Sequence, residues 1–200
     1  MFAFLPTEVQ SELVELAQAY GQPLVQTVEL EIESLFDPLT KRDGRYGEVC
    51  MVVRRPNGKL LLAIKTFYPK GAYRLPTGGI NQGERILDAL LRETKEETGL
   101  EVEIRRFLAA VAYRTKITGE QPVFYTFACL LDEIGGTLGV LDESERIEDF
   151  REIEPAELPA VVDKLSHLDT SYNEELQGQV RDWGIFRAVI HQMVSAALQG

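Results

Sequence analysis

Cysteine is scarce in this chain, and the two present, Cys50 and Cys129, each sit inside a strand-like apolar run. No CxxC and no Cys/His cluster accompanies them, which argues against zinc; two buried free thiols fit better than a disulfide. Histidine is as rare: His167 and His191 fall on predicted helices with no paired Cys or Asp at ligand spacing. No apolar run reaches 18 residues, so no membrane-spanning helix is expected. The N-terminus has no basic stretch before its short apolar run, Pro6 interrupts that run, and acids follow at once, so no signal peptide is expected. Positive charge is in deficit. The net charge of −11 argues against general nucleic-acid or anionic-membrane binding, which needs basic patches. Repeats and low-complexity tracts are missing too. What remains is 200 residues of ordinary globular composition, one large domain or a domain with extensions, expected in the cytoplasm.

Against that background one stretch stands out, residues 78–100, GGINQGERILDALLRETKEETGL. Ile86, Leu87, Leu90 and Leu91 recur at helical spacing and predict a helix over 83–98, with Gly99 as a left-handed C-terminal cap. On a wheel of about 100° per residue, Leu87, Leu90, Leu91 and Thr94 share a core arc and Glu93, Glu96 and Glu97 an adjacent one. Arg85, Asp88, Arg92 and Lys95 fall on the solvent side. A helix C-terminus is already negative, so three acids there are disfavoured unless cations offset them. Arg92 and Lys95 offset part. A divalent cation would offset more, and clustered carboxylate oxygens suit Mg²⁺ or Mn²⁺.

The full spacing is Gly78, five residues, Glu84, seven residues, then Arg92-Glu93-Thr94-Lys95-Glu96-Glu97-Thr98-Gly99-Leu100. It resembles the Nudix box, the signature of Nudix hydrolases. One position departs: Thr94 stands where the family usually has an aliphatic residue, although its methyl can pack on the core face. The resemblance implies an α/β fold, an α/β/α sandwich with a mixed sheet. It also implies hydrolysis of a nucleoside diphosphate linked to another moiety, or of a related pyrophosphate. By position in the box, Glu93, Glu96 and Glu97 would be metal ligands, completed by a backbone carbonyl near Thr77 or Gly78. Glu93, Glu96 and Arg92 would carry the catalysis, with Glu84 and Arg92 orienting the cluster. In many members the general base lies outside the box. Glu143, Glu145 and Glu148, in DESERIED, are the candidates here, or else an exposed acidic loop.

Along the chain, 7–20 reads as a helix with Thr7 as N-cap and Gln10 completing a capping box, its stripe Leu13, Leu16 and Ala17. Gly21 ends it. Residues 24–32 alternate as a strand through Val25, Val28, Leu30 and Ile32. This 1–41 extension either pads the core or builds a homodimer interface. After a polar link at 41–45, strands are expected at 48–54 and 59–66, joined by Pro56-Asn57-Gly58. A loop at 67–72 leads through Tyr73-Arg74-Leu75-Pro76 into the glycine turn. Further strands follow at 102–114, 122–131 and 147–153. Residues 115–121 read as a loop, and Gly135, Gly136 and Gly139 as a turn. A helix at 157–168 opens after Pro155. A closing helix at 174–198 has Trp183, Phe186, Val189, Ile190 and Met193 on its apolar side. The Nudix domain is thus expected over 42–168, with 169–200 as a C-terminal helix packed on it.

Arg74, Tyr113, Arg114 and Lys116 are candidates for reaching a small-molecule nucleotide, Arg74 first because it precedes the entry to the box. Trp183 and Phe186 read as core residues, with base stacking as the alternative. No SQPWPFP-like run and no clear Ser-Pro-Gly follows the box. ADP-ribose, nucleotide sugars, (d)NTPs and dinucleoside polyphosphates all stay open as substrates, as does a Nudix-fold nucleotide sensor without turnover.

Overall fold

The computed structural model describes residues 2–40, 45–117 and 119–200. The expected link at 41–45 therefore lies mostly outside the described residues, as does Thr118 of the expected 115–121 loop. The N-terminal helix α1 (Thr7–Tyr20) buries Leu13, Leu16 and Ala17 and ends at Gly21. Its start differs from the expected capping box. Pro6 holds the cap position without a side-chain bond, and Gln10 donates instead to the Leu5 carbonyl at 2.7 Å. The next strand, β1 (Leu24–Leu30), stops two residues short of the expected end. There the Asp182 carboxylate accepts the Glu33 and Ser34 N–H groups at 3.0 and 2.9 Å and draws the chain off the sheet.

Strands β2 (Gly47–Arg54) and β3 (Leu60–Lys65) flank the Asn57-Gly58 turn, where Gly58 has φ 84° and Asn57 accepts the Lys59 N–H. β2 is buried along nearly its whole length, as its unbroken apolar run requires of a central strand. A short β4 (Thr77–Gly79) leads to α2 (Ile86–Thr98). The long pair β5 (Leu100–Thr115) and β6 (Gly119–Gly136) absorbs most of the expected 115–121 loop, since Thr115 already pairs with Gly119. Then come β7 (Ile147–Ile153), α3 (Leu158–Ser166), a small hairpin of β8 (Tyr172–Asn173) with β9 (Gly178–Gln179), and α4 (Val180–Gln199). That hairpin occupies the ground expected for the first turns of the closing helix.

The main sheet runs β1-β5-β6-β2-β3-β7, with β4 on β2. The β1–β5 and β2–β6 pairs are parallel and the others antiparallel, so the sheet is mixed. One apolar cluster joins the sheet to α1 and α2; the other joins its opposite face to α3 and α4. The α/β/α sandwich is thus formed, and the N-terminal extension is part of it: α1 pads one face while β1 widens the sheet.

Helix α2 begins three residues later than the spacing predicts. Gly83 adopts φ 76°, and Glu84 folds back so that its carboxylate accepts the Asn81 N–H at 2.9 Å. Its buried face is also turned from the expected one. Ile86, Ala89, Leu90, Glu93, Thr94, Glu97 and Thr98 are buried, whereas Leu91 is exposed. The start of α2 lacks a side-chain cap of its own, and α1 supplies one: Glu12 Oε1 accepts the Leu87 N–H at 3.2 Å.

Candidate active site

Gly78 lets β4 lie against α2. A Cβ on Gly78 would stand 2.1 Å from Cδ of Glu93, so only a bare backbone passes this carboxylate. Beside it, Arg92 is the hub of the box. Its Nε and Nη2 hold the two oxygens of Glu84 at 2.7 and 2.8 Å. Nη1 reaches Glu93 at 2.8 Å and Glu96 at 2.9 Å, and Nη2 also donates to the Gly79 carbonyl at 3.0 Å. Arg92 therefore sits inside the cluster rather than on the solvent arc. Its bonds hold Glu84 well below the usual carboxylate range and push its own pKa up. Burial raises the pKa of Glu93, with Arg92 opposing.

A third carboxylate arrives from a loop. One oxygen each of Glu93, Glu96 and Glu145 lies within 4.8 Å of the others. The loop is pinned to the end of α2: Leu141 N–H donates to the Glu96 carbonyl at 3.0 Å and Gly139 N–H to the Thr98 carbonyl at 2.9 Å. Carbonyls that a helix end leaves unpaired are thereby satisfied. The close approach needs Gly99 twice over. It takes φ 69° as the cap, and a Cβ there would stand 2.6 Å from the Thr137 carbonyl oxygen.

Glu97 stands apart from that trio. Fully buried, it lies 2.9 Å from the Lys65 ammonium, which also holds Glu145 at 2.7 Å. Burial pushes the Glu97 pKa up to about 7, with Lys65 and Arg74 opposing. Neither Glu97 oxygen makes a further hydrogen bond. The three converging carboxylates of Glu93, Glu96 and Glu145 have the oxygen-donor chemistry that suits a hard cation.

Of these groups, Glu93, Glu145 and Lys65 border a cavity of about 370 Å³. Lys65, Arg74 and Arg187 bring positive charge to its wall, and Phe67, Tyr68 and Trp183 bring rings. Under Gly78, Thr77 Oγ1 donates to Glu48 at 3.2 Å and accepts from Arg74 at 3.0 Å and from Arg187 at 3.1 Å. Arg187 also pairs with Glu48 at 2.6 Å.

The family model of the NUDIX domain matches residues 45–172. The chain belongs to the NUDIX domain family. It is 31% identical over 132 residues to an ADP-ribose pyrophosphatase of Methanocaldococcus jannaschii, covering 66% of this chain and 73% of that protein. It is 35% identical over 89 residues to Nudix hydrolase 2 of Arabidopsis thaliana, covering 44% of this chain and 31% of that protein, so it spans about a third of the plant relative's length. A solved ADP-ribose pyrophosphatase structure from Streptococcus suis superposes with TM-score 0.47 and 18% identity, over 77% of this chain and 92% of that one.

Within this NUDIX domain the remaining candidates scatter. Arg74 is buried at the cavity, bonded to the Leu75 carbonyl at 2.8 Å, to Thr77 and to the Tyr68 hydroxyl. Tyr113 is buried in the core against Phe186, ring centroids 4.6 Å apart, and does not reach the cavity. Arg114 pairs with Glu29 of β1 at 3.3 Å, away from the box. Glu143 and Glu148 are exposed, and neither joins the cluster that Glu145 completes. His191 is buried, with Nδ1–H donating to the Arg187 carbonyl at 2.7 Å and Nε2 accepting the Leu75 N–H at 2.8 Å. Lys65, Glu48 and Arg187 escaped the sequence reading. Their signal was a lone charge within or ending an apolar run, as in LLLAIK and GEVCMVV.

Proposed function

We propose that the protein is a Mg²⁺-dependent Nudix pyrophosphohydrolase, with Mn²⁺ as a substitute, that cleaves the pyrophosphate bond of a nucleoside diphosphate linked to another moiety. The observation that carries this reading is the convergence of Glu93, Glu96 and Glu145 beside a cavity walled by Lys65 and Arg74. Glu93 and Glu96 would hold the cation, with Glu145 completing the group and the Gly78 backbone lying against Glu93. Bound divalent ions neutralise phosphoryl oxygens and lower the pKa of a coordinated water. The chain's own groups do the rest. Arg92 keeps the carboxylates in register, and Glu97 anchors Lys65, which steadies Glu145. As the loop-borne member of the three, Glu145 is our candidate for taking the proton of the attacking water. Arg74, buried and without a carboxylate bonded to it among the described residues, suits a substrate phosphate oxygen.

Among substrates, the relative named an ADP-ribose pyrophosphatase supports ADP-ribose or a nucleotide sugar ahead of dinucleoside polyphosphates and (d)NTPs. The net charge of −11 supports a small nucleotide over nucleic acid. The exposed apolar Leu24 and Val25 on edge strand β1 support a homodimer, and two free thiols support the cytoplasm. No described helix is long and apolar enough to cross a membrane.

The test is a turnover screen of these compounds and NADH with Mg²⁺ or Mn²⁺, beside Glu96→Gln. Cleavage of one compound that disappears in the variant and with a chelator supports the reading. Tight nucleotide binding without turnover on any compound would replace it with the sensor reading.

A further inference from the structure

Strand β1 is one edge of the main sheet and β7 is the other, and the two are guarded differently. Of the residues of β7, Glu148, Asp149, Arg151 and Glu152 carry charge, which blunts an open edge against pairing with another chain. β1 carries one charge, Glu29, and Arg114 of β5 already pairs with it at 3.3 Å. It holds no lysine, no proline and no register shift, and among the described residues its backbone bonds only to β5. Leu24 to Thr27 are exposed in succession, so both faces of the strand meet solvent; Leu24 is 45% and Val25 46% exposed. An open groove lies on each side. One of about 400 Å³ runs between β1 and Val189 and Met193 of α4, and one of about 430 Å³ between Val25 and Val14 of α1. Although the chain carries a net charge of −11, no charged residue among those described lines either groove.

We infer that β1 pairs antiparallel with β1 of a second copy, joining two sheets into one across a two-fold axis at Gln26. Successive side chains alternate between the α4 and α1 sides of the strand. This register sets Leu24 opposite Val28 on the α4 side and Val25 opposite Thr27 on the α1 side, with Gln26 opposite itself. It also sets Glu29 opposite Pro23, apart from its own copy. Charge favours a second copy over another partner. Two chains at −11 repel, and this face lets them meet without opposing like charges, whereas a basic partner would need acids that the grooves lack. Area agrees. A strand of 7 residues is about 23 Å long and a helix-sheet-helix stack about 30 Å deep, so each copy offers about 700 Å², near the roughly 800 Å² per partner of a stable interface. The inference gives the proposed homodimer its interface and does not depend on the hydrolase reading.

The test is size-exclusion chromatography with light scattering on the full-length protein. At micromolar concentration wild type should run at twice the 22.5 kDa of one chain. Val25→Lys installs, at an exposed position, the guard that β1 lacks. Each copy then brings a charge to the axis, and the dimer dissociation constant should rise by at least about a hundredfold with circular dichroism unchanged. Gln26→Cys reads the register. On mild oxidation it should cross-link to itself, because directly opposed residues of an antiparallel pair lie within disulfide range. Ile134→Cys, 66% exposed on β6, should not. Cys50 and Cys129 are buried and stay silent. Wild type at monomer mass throughout overturns the proposal and leaves the edge to a different protein. A dimer that survives Val25→Lys, or that Gln26→Cys fails to cross-link, overturns this pairing while a homodimer through another face stands. Silence in the turnover screen bears on the hydrolase reading alone.

Discussion

Replacing Gly78 by alanine tests the geometry of the carboxylate cluster at one atom's cost. The φ of Gly78 lies outside the left-handed region, so alanine is conformationally acceptable there. The new Cβ, however, would stand 2.1 Å from Cδ and 2.2 Å from Oε2 of Glu93, where ordinary contact begins at 3.4 Å. The Glu93 carboxylate must therefore retreat by more than about 1 Å, away from Glu96 and Glu145 and off Arg92. The obstacle is a side-chain end rather than backbone, so folding should lose only about 1–2 kcal/mol. Misplacement on the 1 Å scale costs on the order of 10²-fold in rate. The assay is kcat/KM with Mg²⁺ on whichever compound the screen identifies, beside a thermal melt. A hundredfold loss of activity with a small change in Tm is expected. In a Glu93→Ala background the same glycine change should cost nothing more, because nothing is left to displace. Gly78→Ala with activity within about threefold of wild type would refute the reasoning.

Glu96→Gln should lower turnover by about 10²–10³-fold while leaving stability within about 1 kcal/mol, since only a half-buried pair with Arg92 is lost; rate and melt together check it. Glu12→Ala removes the cap that α1 supplies to α2 and should cost about 1 kcal/mol, read as roughly a 3 °C fall in Tm. His191 gives a pH signature. Burial, with Arg74 and Arg187 adding to it, pulls its pKa down to about 3 from 6.5. Above pH 6.5 its neutral form contributes in full. As pH falls from 6.5 toward 3, the unfolded chain takes up a proton that the folded chain refuses, and stability drains by at most about 5 kcal/mol. In denaturant titrations across that window His191→Gln should show a shallower acid slope, whatever its starting stability; an unchanged slope counts against the assignment.

Spacing along the chain made the box legible because helix periodicity and one glycine turn determine it locally. The order of strands and helices was legible for the same reason. The start of α2 was not, because Gly83 and the Glu84 turn override a periodicity that continues through them. Glu145 could be named only as one of three acids in DESERIED. What selects it is a long-range fact, the pinning of its loop to the carbonyls of Glu96 and Thr98. Glu48 meets Arg187 across 139 residues of chain and Lys65 meets Glu145 across 80, in contacts that no local pattern encodes. Tyr113 sits in a strand whose buried run continues through it, so sequence alone could not tell which end of that strand faces the cavity.

Arg92 gives the chain a resident counter-ion. Its charge persists at every physiological pH, and its guanidinium touches Glu84, Glu93 and Glu96 at once. Like charges that would otherwise splay apart are held together by a group that cannot diffuse away. Folding of this chain should accordingly need no dissolved cation to hold these carboxylates together. A zinc finger without its metal is a random chain; this protein should keep the same melting temperature with a chelator present.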